Sequence, residues 1–191
     1  GLITYMRTDS TRISKEMQET AKDFILRNYG EDYYPSKPNV YGSKGSAQDA
    51  HEAIRPTSLE LTPKMVEPFL SRDELKLYTL IWNRFMASQM APQQNESTTI
   101  ELTVQNDYTF KATGSRVIFP GFSAVYEDVK KEDAPQLPGL KKNDAAHTVE
   151  VLPEQHFTQP PPRYSEASLI KTLEELGIGR PSTYAPILDT I

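Results

Sequence analysis

The stretch Ile3-Thr4-Tyr5-Met6-Arg7-Thr8-Asp9-Ser10 sets a phenol two positions from a guanidinium and close to three short polar side chains. A tyrosine hydroxyl is a poor nucleophile near neutral pH, because its ordinary pKa is about 10. A fixed positive charge nearby favours the phenolate and can hold a phosphate for attack. The segment therefore reads as a phosphoryl-transfer site with Tyr5 as nucleophile, or as a plain strand-to-helix junction. Tyr-x-Arg by itself is too common to decide between them.

Outward from this stretch the chain turns helical. Ser14 precedes Met17, Ala21, Phe24, Ile25 and Tyr29 at helical spacing, and Gly30 stands where a left-handed C-cap belongs. Residues 31–50, rich in Tyr, Pro, Ser and Gly, read as a loop. Thr62-Pro63 starts a short helix with proline in its first turn. Ser71-Arg72-Asp73-Glu74 is a capping box for a long helix. Leu75, Tyr78, Ile81, Trp82, Phe85 and Met86 form that helix's apolar face, and Pro92 lies beyond its end.

The period then changes from helical to alternating. Ile100, Leu102 and Val104 alternate with Thr99, Glu101 and Thr103, the pattern of a half-buried strand. Asn106-Asp107 supplies a turn, and Tyr108, Phe110 and Ala112 alternate in a second strand of a hairpin. Residues 115–119 are predicted as a third strand, and Pro120-Gly121 as a turn before Phe122 to Tyr126. Residues 127–146 mix charge with chain breakers and are predicted to be a mobile loop. His147 to Leu152 is predicted as another strand, and Gln159-Pro160-Pro161-Pro162 as a stiff connector. Ser165 then caps a helix with Leu169, Ile170, Leu173 and Leu176 inward, closed at Gly177; Ser182 is predicted to cap the last helix. The predicted class is α+β: a helical unit over 1–92, a β-rich unit over 93–160, and the start of a second helical unit over 161–191.

Composition bounds the function. The chain has 191 residues, 37% hydrophobic and 25% charged, ample for a buried core. No apolar run approaches the roughly 18 residues that span a bilayer, so no membrane partner is expected. The chain contains no cysteine, which excludes a disulfide framework and a thiolate zinc site within it. The start lacks the pattern of a signal peptide, and a cytoplasmic location is expected. The net charge of −5 argues against coating nucleic acid by bulk electrostatics, so any DNA contact rests on a few local groups. The apolar opening and the uncapped helical pattern at 185–191 suggest a fragment.

Three stretches in order resemble one family. Ile3-Thr4-Tyr5-Met6-Arg7-Thr8-Asp9-Ser10-Thr11, Ala50-His51-Glu52-Ala53-Ile54-Arg55-Pro56-Thr57 and Gly177-Ile178-Gly179-Arg180-Pro181-Ser182-Thr183-Tyr184 are similar to segments of the bacterial type IA DNA topoisomerases, with Met6 resembling the topoisomerase I branch. The resemblance implies a central piece of a torus: a helical domain bearing the tyrosine, the second half of a β-rich arch, and a helical DNA-binding domain. An arch missing its first half would leave a strand edge open to pairing between copies. In the complete enzyme the implied activity is ATP-independent relaxation of negatively supercoiled DNA. One strand is cut through a 5′-phosphotyrosine, the other is passed, and the break is resealed.

The resemblance also assigns roles. Tyr5 is implied as the nucleophile. Arg7 suits the scissile phosphate, because its planar fork donates two hydrogen bonds to non-bridging oxygens. On a strand, Arg7 would share a face with Tyr5. The plainer reading of Arg7 is a surface arginine paired with Asp9 or Glu52. Asp9 either fixes Arg7 or caps the turn, and Asp9 and Ser10 are candidate DNA contacts. His51 is implied to sit near the tyrosine, moving a proton or holding a phosphate or the Asp9 carboxylate; its plainer reading is structural. Arg55 serves structure or the DNA backbone. Arg180, Ser182 and Thr183 are implied DNA-backbone contacts at a helix start, whose plainer reading is capping. His147 and His156 have no motif around them.

The Mg²⁺ site and its acidic residues belong, by the same resemblance, to a Toprim domain. No Asp-x-Asp stretch is present here, so no metal site is expected in this chain, and the piece alone is expected not to relax DNA. The partners implied are single-stranded DNA at the cleavage site and the rest of the same enzyme. Two rival classes are a noncatalytic DNA-binding module and a helical and β scaffold without nucleic acid.

Overall fold

Helix α1 (Lys15–Asn28) begins where the sequence places its cap: the Ser14 side chain accepts from the Met17 N–H. Its apolar stripe, Met17, Ala21, Phe24 and Ile25, is buried. The helix ends at Tyr29, and Gly30 turns the chain away with φ +103, a conformation that suits glycine. The computed structural model describes residues 1–41, 51–104, 108–126 and 137–191. The turn expected at Asn106-Asp107, most of the loop expected over 127–146, the latter part of 31–50 and Ala50 lie outside the described residues.

Helix α2 (Pro63–Val66) is a single turn started by Thr62 and Pro63. Helix α3 (Arg72–Gln89) carries the full capping box, with the Ser71 N–H donating to a Glu74 carboxylate oxygen at 2.9 Å. It packs on α1 through Phe24 and Trp82, whose rings meet edge to face at 5.8 Å. Tyr78, Phe85 and Met86 fill the same core with Leu59 and Val66. Burying each such side chain contributes about 1.5–3 kcal/mol. The segment before α2 is tied down by two polar tips: the Tyr78 hydroxyl donates to the Leu61 carbonyl at 2.6 Å, and the Trp82 indole to that of Leu59 at 3.4 Å. Burial pushes the Tyr78 phenol above its ordinary pKa.

Strands β1 (Gln94–Val104) and β2 (Tyr108–Phe119) form an antiparallel hairpin. The second and third expected strands are one continuous strand, since pairing with β1 runs through Gly114, which lies opposite Thr98, into Ser115 and Arg116. Ile100, Leu102 and Val104 lie opposite Ala112, Phe110 and Tyr108, so the apolar side chains share one face as read. The expected half-burial is not found. Almost every hairpin residue is exposed, because among the described residues no second layer covers either face. At its base the hairpin is anchored by Phe119, whose ring lies 4.9 Å from that of Tyr33. The turn expected at Pro120-Gly121 continues as a 3₁₀ turn over Gly121–Val125.

The chain divides into two compact units, Gly1–Asp144 and Ala145–Ile191. In the second, the strand expected at 147–152 is absent: Val149 and Val151 are exposed and no neighbour pairs with them among the described residues. Helix α4 (Glu166–Glu175) starts at Ser165, whose side chain accepts from the Ser168 N–H, and the chain leaves it through Gly177 at φ +70. Helix α5 (Tyr184–Leu188) has only five residues. No described helix is long and apolar enough to cross a membrane. The whole is a mixed α+β chain of helices and a two-stranded antiparallel hairpin.

Candidate active site

Residues 1–4 run beside residues 53–57. Ile3 and Pro56 form an antiparallel bridge, flanked by the Thr4 N–H to the Arg55 carbonyl at 2.9 Å and the Thr57 N–H to the Leu2 carbonyl at 3.0 Å. These flanking bonds make Ile3 and Pro56 a non-hydrogen-bonded pair, so the N–H that proline lacks is not needed. The first two sequence motifs, far apart in the chain, are thus laid side by side.

Ala53 closes the loop that carries Tyr5. Its carbonyl accepts from the Thr4 hydroxyl at 2.7 Å, and its N–H donates to the Arg12 carbonyl at 2.8 Å. The Thr4 hydroxyl in turn accepts from the Arg55 N–H at 3.0 Å. Within the loop, the Thr8 hydroxyl accepts from the Ser10 N–H, and the Ser10 hydroxyl from the Arg12 N–H. Ser10, expected as a DNA contact, is only 6% exposed and stitches the loop from inside.

Tyr5 itself is 61% exposed, and its ring lies 5.8 Å from that of His51, tilted by 56°. Extended pairing stops before it, and Met6 and Arg7 form a bend, so strand alternation does not set the direction of Arg7. Arg7 and Asp9 are exposed and have no ion-pair partner among the described residues. Glu52, one alternative partner for Arg7, is taken by Arg55 at 2.7 Å, and the Arg55 guanidinium also donates to the Pro56 carbonyl at 3.0 Å. Both side chains of this pair are largely buried, at 12% and 21% exposure. A groove of about 390 Å³ opens on residues of the same segments, lined by Thr11, Ile13, Tyr41, Ile54, Arg84 and Phe122 among others.

In the second unit the third motif is built differently from its reading. The Thr183 hydroxyl accepts from the Arg180 N–H at 2.9 Å and donates to the Arg180 carbonyl at 3.1 Å. Thr183, not Ser182, is the residue before α5, and its side chain caps no helical N–H. The hydroxyl is spent on the turn, which leaves Ser182 exposed. Gly179, at φ +77, sits against Tyr184: a Cβ there would lie 3.0 Å from its ring. The close approach is to this chain's own side chain. Arg180 is exposed, with its guanidinium donating to the Gly179 carbonyl at 2.8 Å.

Thr4 carries the junction between the first two motifs, yet its position within the motif gave it no role of its own. Its signal was alternation, since a residue next to an exposed tyrosine on an extended segment points back to the body. Among the described residues, no three His, Cys, Asp or Glu side chains gather as metal ligands. The acids nearest the tyrosine in sequence do not supply a set, and Glu52 is committed to Arg55. The described residues around Tyr5 therefore do not fit a magnesium site.

Tyr5 thus stands exposed on a pinned loop, with the His51 ring beside it and Arg7 two residues on. The family model for DNA topoisomerase matches residues 1–191, and the chain belongs to that family. Its relatives place it with the bacterial type IA enzymes. DNA topoisomerase 1 of Xylella fastidiosa strain Temecula1 is 49% identical over 199 aligned positions, covering 100% of this chain and 24% of that protein. The same protein of strain 9a5c matches equally, at 49%. The structure of full-length topoisomerase I from Thermotoga maritima superposes with a TM-score of 0.79 at 40% identity, covering 99% of this chain and 30% of that one. The chain thus spans about a quarter of the length of these curated relatives, 24%.

Proposed function

We propose that this chain is the central, nucleophile-bearing part of a type IA topoisomerase that relaxes negatively supercoiled DNA without ATP. Residues 1–92 form the helical domain with Tyr5, residues 93–160 the second half of the β-rich arch, and residues 161–191 the start of a helical DNA-binding domain of the torus. The observation that carries the reading is Tyr5, exposed on a loop fastened to the His51 segment.

In this reading the Tyr5 oxygen attacks a DNA phosphorus. A P–O bond forms to tyrosine, the bond to the 3′-oxygen breaks, and the phenolic proton leaves as the 3′-hydroxyl gains one. The bond energy stays in the 5′-phosphotyrosine ester, so the reverse attack reseals the strand without ATP. Arg7 holds non-bridging oxygens of that phosphate, and Asp9, exposed beside it in sequence, contacts the DNA. His51 moves a proton or steadies the phosphate. Arg180 and Ser182, both exposed, contact the DNA backbone from the second helical domain, and Thr183 supports that contact through the turn it closes onto Arg180; Ser10 acts through the loop it stitches. Enzymes of this family generally use Mg²⁺, which in this reading is held by a Toprim domain outside this chain.

The test is trapping. The full-length protein carrying this segment, given Mg²⁺ and end-labelled single-stranded DNA and stopped with denaturant, forms a covalent adduct on Tyr5. Tyr5→Phe abolishes the adduct and leaves salt-dependent DNA binding in place. Equal adduct from Tyr5→Phe, or none from the unaltered protein, would sink the assignment. The same trapping with this chain and a separate Toprim fragment decides whether cleavage can be restored in trans.

A further inference from the structure

The loop that bears Tyr5 is closed at its base by one residue, Ala53, and the closing contact on the tyrosine side is a side chain. The Thr4 hydroxyl uses both its donor and an acceptor there: it donates to the Ala53 carbonyl at 2.7 Å and accepts from the Arg55 N–H at 3.0 Å. The Thr4 main-chain N–H bonds the Arg55 carbonyl at 2.9 Å. At the other end of the loop, the Arg12 carbonyl accepts from the Ala53 N–H at 2.8 Å. Tyr5 follows Thr4 directly, and His51 lies two residues before Ala53.

We infer that Thr4 is a positioning residue for the cleavage reaction: its hydroxyl, bridging Ala53 and Arg55, sets where the Tyr5 ring stands against His51. The inference rests on Tyr5 being the nucleophile. A phenol 61% exposed has few packing contacts to hold it, so the base of its loop must do so. Reacting groups need placing to a fraction of an ångström, and remote misplacement by ~1 Å can cost rate by about a hundredfold. Substitution by valine keeps the branched shape and removes the bridge, leaving one carbonyl and one N–H without the hydroxyl. Serine keeps the bridge and loses only the methyl.

The experiment uses full-length protein, Mg²⁺ and labelled single-stranded DNA, and reads the first-order rate of covalent adduct at saturating DNA together with the half-saturating DNA concentration. Thr4→Val is expected to slow the rate about tenfold, with the half-saturating concentration unchanged within about twofold. Thr4→Ser is expected to restore the unaltered rate. A Thr4→Val protein as fast as the unaltered one overturns the inference, and so does a defect confined to the half-saturating concentration. A Thr4→Ser protein as slow as Thr4→Val overturns it too, because the methyl would then be what matters. If Thr4→Val melts below the assay temperature, Thr4→Ser decides alone: a full rate supports the bridge and a tenfold loss overturns it. Absence of adduct from the unaltered protein fails the Tyr5 reading itself, and is thereby told apart from failure of Thr4.

Discussion

The rings of Tyr5 and His51 stand with centroids 5.8 Å apart and planes inclined at 56°, though they come from separate segments of the chain. Tilted pairs at this separation are within the range aromatic side chains favour. The contact exists because Ile3 bridges Pro56 and because Ala53 holds both ends of the tyrosine loop. The histidine therefore meets the phenol ring at a tilt without burying it.

Two roles for His51 separate by substitution. If the imidazole nitrogens work on the phosphate or a proton, His51→Ala slows covalent adduct formation by about a hundredfold, the usual scale of acid–base assistance. His51→Phe keeps a flat ring against Tyr5 and is expected to stay slow. Recovery by phenylalanine to near the unaltered rate would show that the ring contact alone matters. Single-turnover trapping on single-stranded DNA makes the comparison.

The Arg55 and Glu52 pair anchors the same junction. Two guanidinium nitrogens reach one Glu52 oxygen, at 2.7 and 3.1 Å, and a third reaches the Pro56 carbonyl. With side chains only 12% and 21% exposed, removing one partner strands the other charge out of water. Arg55→Ala is expected to cost about 3 kcal/mol of stability, the lower end of the range for breaking a buried pair. Adding Glu52→Gln to Arg55→Ala should recover part of that loss, a coupling of about 1 kcal/mol or more in a double-mutant cycle. Urea unfolding followed by Trp82 emission, the chain's single tryptophan, measures it. Simple additivity would show that the pair is not coupled.

The helices were legible in the sequence because their signals are local: Ser14 and Ser71 cap the helices they precede, and the stripes of α1 and α3 are buried as spaced. The hairpin's faces were legible from alternation, but its exposure was not, because alternation tells which side chains share a face and not whether anything covers it. Ser182 failed as a cap because Thr183, one residue on, closes a turn onto Arg180 instead. At the site, the histidine motif reaches the tyrosine through main-chain bonds of Thr4, Ala53 and Thr57. Main-chain pairing leaves almost no trace in side-chain identity, and the Thr4 hydroxyl that reinforces it does not name its partner, so only the resemblance had joined the two motifs.

Capping of α3 makes a pH-dependent contribution with a definite sign. The Ser71 hydroxyl, and then its N–H, hold the Glu74 carboxyl below its ordinary value of 4.5. A folded-state pKa below the unfolded one stabilises the charged carboxylate. That contribution is present above the unfolded pKa and is lost as pH falls through the lowered folded value. Glu74 is fully exposed, so the expected readout is its own titration by NMR, with little change expected in global stability. Ser71→Ala should move the Glu74 titration up toward 4.5. An unmoved titration would show that the cap does not hold the carboxylate in solution.

Gly121 joins the hairpin's end to the core and tolerates no side chain. Its φ is +50, and a Cβ would meet the Ala91 carbonyl oxygen at 2.6 Å and collide with the Pro92 carbonyl group. These are backbone atoms, and the Ala91 carbonyl is held by the Phe122 N–H at 2.8 Å, so they cannot swing aside. Gly121→Ala should therefore add left-handed strain to overpacking and cost about 3 kcal/mol. Gly30 separates the two causes: its φ is +103, but nothing lies within 4 Å of a Cβ, so Gly30→Ala should carry the strain alone, about 1 kcal/mol. Gly139 has neither positive φ nor a neighbour within 4 Å, and Gly139→Ala should change stability by less than about 0.5 kcal/mol. Trp82, 5% exposed in the core of the first unit, reports all three in urea through its emission. The order Gly121, Gly30, Gly139 is the expected result. Equal costs for Gly121→Ala and Gly30→Ala would mean that the Pro92 segment yields, and that the hairpin's base is softer than this geometry implies.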